Sequence, residues 1–122
     1  MYKILNKTFC FDIDGVICST KKNNYKNSKP NKKVISIINK LYINNKIIIF
    51  TARYMGRSKN NPIEAERLAK KFTNFQLKKW GVKYDKVFFG KPSYDYIIDD
   101  KSIYMKKFVD AKLIKELNRS IF

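Results

Sequence analysis

The sequence predicts an α/β domain built on a parallel, doubly wound sheet with helices on both faces. Three observations predict it. Short apolar runs alternate with longer segments whose apolar residues recur at helical spacing. Each apolar run ends in chemically reactive polar residues, where ligands gather in open α/β sheets. No repeat or linker divides the 122 residues, so residues 1–122 are expected to form one domain, long enough for one core and too short for two.

The elements follow in order. Lys7 to Ile13 reads as a strand bounded by Gly15. Ser19 to Asn31 is rich in Lys and Asn, holds one tyrosine, Tyr25, and lacks periodicity, so it is a loop. Pro30 precedes a helix carrying Val34, Ile35, Ile37, Ile38 and Leu41, ended by Asn44 and Asn45. Ile47 to Phe50 is a continuous apolar run, expected as a strand buried on both faces and stopping at Thr51. A loop from Ala52 to Asn61 leads to Pro62, well placed in the first turn of a second helix, with Glu64 and Glu66 favouring that end. Its apolar residues are Ile63, Leu68, Phe72, Phe75 and Leu77, and it stops near Gly81. Val87 to Phe89 is a third strand and Tyr94 to Ile98 a fourth; a helix over Met105 to Asn118 closes the chain.

Composition narrows the function classes. Hydrophobic residues at 44% and aromatics at 15% indicate a folded protein. No apolar run approaches the ~20 residues that span a bilayer, and the N-terminus lacks a signal-peptide layout. Cys10 and Cys18 suit a reducing, cytoplasmic setting without a disulfide, with Cys18 structural. The absence of histidine excludes Ser-His-Asp, Cys-His and His-zinc chemistry. The net charge of +17 invites nucleic acid as partner, but only four of the 27 basic residues are Arg, the residue groove readers favour. Abundant Lys, Asn and Ile also fit an AT-rich coding bias. Nucleic acid is therefore not the expected partner, although the positive field would steer phosphorylated substrates inward. The eight Tyr and nine Phe suggest exposed aromatics and self-association.

The chemistry starts at FDIDGVI, Phe11 to Ile17. Asp12 and Asp14 alternate onto one side of the chain at the strand's carboxyl end, and two like charges so close call for a cation or a catalytic task. Thr51, Lys91 and the pair Asp99 and Asp100 end the other three apolar runs. Each has a bland alternative: Thr51 caps a loop, Lys91 is one more surface lysine, and Asp-Asp forms a turn. Together they predict one sheet edge with four carboxylates, a hydroxyl and an ammonium.

The order FDIDGVIC, FTAR, GKP, IIDD resembles the four motifs of haloacid dehalogenase-like (HAD) phosphohydrolases, over about residues 7 to 104. With its Lys/Asn-rich loop it is most similar to the small HAD phosphatases of capsule and surface-polysaccharide biosynthesis. The resemblance implies a Rossmann-like, HAD-type fold and magnesium (Mg2+) as cofactor. Asp12 would be the nucleophile forming an aspartyl-phosphate, and Asp14 the group that protonates the leaving alcohol and then deprotonates water. Thr51 would bond a phosphoryl oxygen and Lys91 neutralise the nucleophile and the transferring group. Asp12, the Asp14 carbonyl, Asp99 and Asp100 would hold the metal, Asp100 directly. The backbone amides after Asp12, freed by Gly15, would face the phosphate. Neither gap, Gly15 to Thr51 or Thr51 to Lys91, has room for the cap domain many relatives insert, so the site is expected to be open to a large substrate or closed by a neighbouring subunit. Arg53, Arg57 and Tyr25 are candidate substrate-binding residues. Against that, the arginines pair with acids at the loop base and Tyr25 packs on its own loop.

The expected activity is a magnesium-dependent phosphomonoesterase acting on a phosphorylated sugar or small metabolite. The alternative substrates are nucleotides or nucleic-acid ends, suggested by the charge. A non-enzymatic phospho-receiver would place its Asp on a strand between the acid cluster and Thr, but no Asp lies between Asp14 and Asp85. A DxD glycosyltransferase leaves Lys91, Asp99 and Asp100 unexplained.

Overall fold

The computed structural model describes residues 4–110. Three parallel strands, β1 (Thr8–Phe11), β4 (Lys46–Thr51) and β5 (Lys86–Phe89), form the main sheet in the order β1-β4-β5. The register pairs Phe11 with Ile49 and Thr51 with Phe89. Between β1 and β4 come β2 (Cys18–Ser19), a 3-10 turn at Tyr25–Asn27, β3 (Lys29–Pro30) and α1 (Lys32–Tyr42). Between β4 and β5 lies α2 (Pro62–Lys79), and α3 (Met105–Asp110) ends the described chain. The rest of the helix expected to Asn118, with Ala111, Leu113, Ile114 and Leu117, lies outside the described residues.

The sequence dictates α1 well. Asn31 caps it by accepting the Val34 N–H at 3.2 Å, and all five expected apolar residues, Val34, Ile35, Ile37, Ile38 and Leu41, are buried. They join Phe11, Ile13, Ile17, Ile47, Ile49 and Leu77 in one core cluster. Asn61 caps α2 the same way through the Glu64 N–H, and Pro62 sits in its first turn.

Three expectations are corrected. First, α2 is rotated: it buries Ala65, Ala69, Thr73, Gln76 and Leu77, while Ile63, Leu68 and Phe75 are exposed. Small alanines allow close approach, and Thr73 and Gln76 are needed as polar partners inside. Second, Tyr94 to Ile98 forms no strand; Tyr96 and Ile98 are 88% and 98% exposed. Third, β4 buries Ile47, Ile49 and Thr51 on one face of the sheet. The opposite face carries Cys10, Ile48, Phe50 and Phe88, which are exposed or half-buried, so β4 is fully buried on one face rather than both. Among the described residues, no helix is long and apolar enough to cross a membrane.

Candidate active site

At the carboxyl end of β1 the chain makes a tight turn. The N–H groups of Val16, Ile17 and Cys18 donate to the Ile13 carbonyl, and that of Gly15 donates to Cys18 O at 2.8 Å. Gly15 makes the turn feasible with φ of +92°. The amides of residues 15 to 18 are therefore consumed by the turn, and the Ile13 N–H donates to Asp12 Oδ1 at 2.8 Å. These amides do not form the open phosphate cradle expected from the sequence.

The two aspartates have different partners. Asp12 faces Lys91, whose Nζ lies 3.4 Å from Oδ2. Lys91 reaches it because β5 ends at Phe89, and after Gly90 the Lys91 N–H donates to Thr51 O at 3.1 Å. Its ammonium also lies 5.4 Å from the centroid of the Tyr94 ring. Burial pushes the Asp12 carboxyl above its ordinary value; Lys91 and the Ile13 N–H oppose this without overcoming it. For Lys91, burial alone would lower the ammonium, but Asp12 and Tyr94 outweigh it and the net shift is upward.

Asp14 is held by Arg53. Arg53 Nε donates to Oδ2 at 2.9 Å and Nη2 to Oδ1 at 3.0 Å. Thr20 Oγ1 donates to the same Oδ1 at 2.6 Å and lies 2.6 Å from Ser28 Oγ. The Cys18 thiol, its ionisation pushed up by burial, lies 3.5 Å from Oδ1. Arg53 is 1% exposed, its Nη1 donating to Gln76 Oε1 at 2.6 Å and Thr73 Oγ1 at 3.3 Å. Its backbone N–H donates to the buried Thr51 hydroxyl at 3.1 Å. The β1/β4 register, continued, sets Ile13 beside Thr51.

The Ser19–Asn31 loop is partly ordered into strands: β2 pairs antiparallel with β3, and Gln76 Nε2 donates to Tyr25 O at 2.6 Å. The Tyr25 ring covers the Arg53 guanidinium at 4.7 Å and touches the Tyr54 ring at 5.2 Å. Arg57 is exposed and lies over the Tyr54 ring.

Asp12, Asp14, Thr51 and Lys91 thus meet at one end of the sheet. Asp99 and Asp100 do not join them: with no strand to carry them they stand exposed in a turn, where Asp99 Oδ1 accepts the Lys101 N–H. Among the described residues no three Asp, Glu, Cys or His side chains gather in a metal-binding group. Of the two readings of Arg53, the acid-paired one fits: its guanidinium is spent on Asp14, Gln76 and Thr73 rather than presented to a substrate. Tyr25 packs on that guanidinium. Thr20, Thr73 and Gln76 escaped the sequence reading. The signal for the last two was polar residues standing where α2 continues the Ala65–Ala69 stripe.

A crystal structure of an MCSG target from Vibrio cholerae is similar in fold: TM-score 0.81, 25% sequence identity, covering 94% of this chain and 96% of that one. No family model matches the chain, and no curated protein matches it.

Proposed function

We propose that this protein is a magnesium-dependent phosphomonoesterase of the HAD type, working through an aspartyl-phosphate on Asp12. The observation that carries the reading is the separation of two neighbouring carboxylates by their partners: Asp12 faces an ammonium, and Asp14 a buried guanidinium. Each carboxylate is thereby held by its own partner, leaving Asp12 as the nucleophile and Asp14 as the group that exchanges a proton. In the first step an Asp12 oxygen bonds to phosphorus as the ester P–O pair leaves with the alcohol oxygen, which takes its proton from Asp14. In the second, Asp14 removes a proton from water, the water oxygen bonds to phosphorus, and the P–O pair returns to Asp12. Lys91 offsets charge at the nucleophile throughout.

The donor set suits magnesium, which accepts one or two carboxylates and keeps several waters. The Asp12 carboxylate and the Asp14 carbonyl would hold it. Asp99 and Asp100, exposed in their turn, would complete the set on the motif resemblance alone. The ion would supply charge neutralisation at the phosphoryl oxygens.

We assign as substrate class a phosphorylated sugar or small metabolite of surface-polysaccharide assembly, on the motif resemblance. The net charge of +17 favours a second reading, nucleotides or nucleic-acid ends; rates that fall steeply with salt would select it. The test of the reaction is turnover of p-nitrophenyl phosphate with magnesium by wild type and Asp12→Asn. Loss of a nucleophile that acts with its partners costs on the order of 10⁴-fold or more. Normal turnover by Asp12→Asn refutes the nucleophile and the reading with it.

A further inference from the structure

The geometry points to Arg53 as the positioning residue for proton transfer, with Oδ2 of Asp14 as the oxygen that carries the proton. This rests on the phosphomonoesterase reading and adds to it a residue and an atom. A carboxylate oxygen offers two lone pairs in its plane. On Asp14, Oδ1 receives both Arg53 Nη2 and the Thr20 hydroxyl, with the Cys18 thiol also nearby. Oδ2 receives Arg53 Nε alone. One lone pair therefore remains open, on Oδ2, and the Arg53 fork fixes where it points.

Everything around Arg53 serves to hold that fork still. Gln76 and Thr73 bind its far nitrogen from the packed face of α2, and the Tyr25 ring lies against its plane. Gln76 in turn holds the Tyr25 backbone, so helix and loop are tied to the same guanidinium. The Arg53 N–H also bonds the Thr51 hydroxyl. The residue assigned to the phosphoryl oxygen and the one assigned to the proton are thus set by a single buried side chain and its own backbone. No other described cation contacts Asp14 within ion-pair distance.

Arg53→Lys tests this directly, because lysine keeps the charge but cannot supply the planar two-point fork. The measurement is kcat/KM, with magnesium in excess, for glycerol phosphate and for p-nitrophenyl phosphate. The alkoxide of the first must be protonated as it leaves, whereas the phenolate of the second departs unaided. Misplacing the proton donor should lower kcat/KM for the alkyl ester by about 10²-fold and for the aryl ester by less than about tenfold. A role in folding or direct substrate contact would lower both alike, and equal losses overturn the inference. Gln76→Met loosens the fork without removing it and is expected to give the same inequality at smaller size. It decides the question should Arg53→Lys fail to fold, and equal losses there overturn it too. Asp12→Asn, run alongside, separates the two failures: its inactivity with equal Arg53→Lys losses sinks the inference alone, while its normal turnover sinks the reaction.

Discussion

Replacing Lys91 by Met isolates the electrostatic centre of the site, because Met keeps most of the side chain's length and removes the ammonium facing Asp12 at 3.4 Å. Coulomb's law brackets the interaction between about 1 kcal/mol at the dielectric of water and about 5 kcal/mol at an effective value near 20. Asp12 is 32% exposed and Lys91 15%, so the pair lies between these limits. A neighbouring cation commonly lowers a carboxylate by ~1–3 units, worth ~1.4 kcal/mol each. We expect about 1.5–3 kcal/mol of destabilisation near neutral pH. The sign follows from Asp12. Its folded value is already raised by burial, so its ionisation costs stability as pH rises through that value. Without Lys91 the value climbs further and the cost grows. The difference between wild type and Lys91→Met should therefore be small in acid, where Asp12 is protonated in both, and open up above the ordinary carboxylate range of ~4. Lys91 reports the same energy from its own side: its raised value means stability present at neutral pH and lost only in strong alkali. Thermal melts in chelator across the acid to neutral range measure this, with an expected Tm difference of roughly 5–10 °C at neutral pH. A difference that stays constant from acid to neutral pH refutes the reasoning, since it would reflect lost packing rather than lost charge.

Two further outcomes follow from the backbone and the acids. Gly90 and Gly15 both have φ of +92°, but an added Cβ at Gly90 would lie 2.6 Å from Pro62 Cβ while one at Gly15 meets nothing within 4 Å. Gly15→Ala should cost about 1–2 kcal/mol for left-handed backbone, and Gly90→Ala about 1–3 kcal/mol more for the clash at the start of α2; equal losses in denaturant melts would contradict the contact. If Asp100 joins the magnesium ligands, Asp100→Asn should raise the magnesium concentration for half-maximal activity by about 10–100-fold, whereas an unchanged requirement leaves the ion to Asp12 and the Asp14 carbonyl.

What the sequence revealed was local. Asp12, Asp14, Thr51 and Lys91 were legible because strand ends position them, and a strand end shows in the apolar run before it. The helix α1 was legible because its five large apolar residues share one stripe. The existence and bounds of α2 were legible too, from Pro62 to near Gly81, but its buried face was not, and the reason lies 20 or more residues away. Spacing rules weight side chains by size and hydrophobicity, so they favour Ile63, Leu68 and Phe75. The folded chain instead turns inward a stripe of alanines ending in Thr73 and Gln76, because Arg53 is buried and requires acceptors. The failed fourth strand is the same lesson inverted. Tyr94 to Ile98 has strand composition, but strand propensity is packing against neighbours, and the described residues place none beside it.

Arginine scarcity alone would not have singled out Arg53. Arg57 lies over Tyr54 at the surface, and Arg67 pairs with Glu64 one helical turn away, both exposed. What distinguishes Arg53 is the cost it imposes. A guanidinium at 1% exposure is tolerable only if its charge is matched and its donors are received, which here takes Asp14, Gln76, Thr73 and the face of Tyr25. A chain seeking stability alone would do as well with an apolar side chain in that space. Asp14 would then be released from its fixed orientation, and that orientation is the property the buried pair supplies.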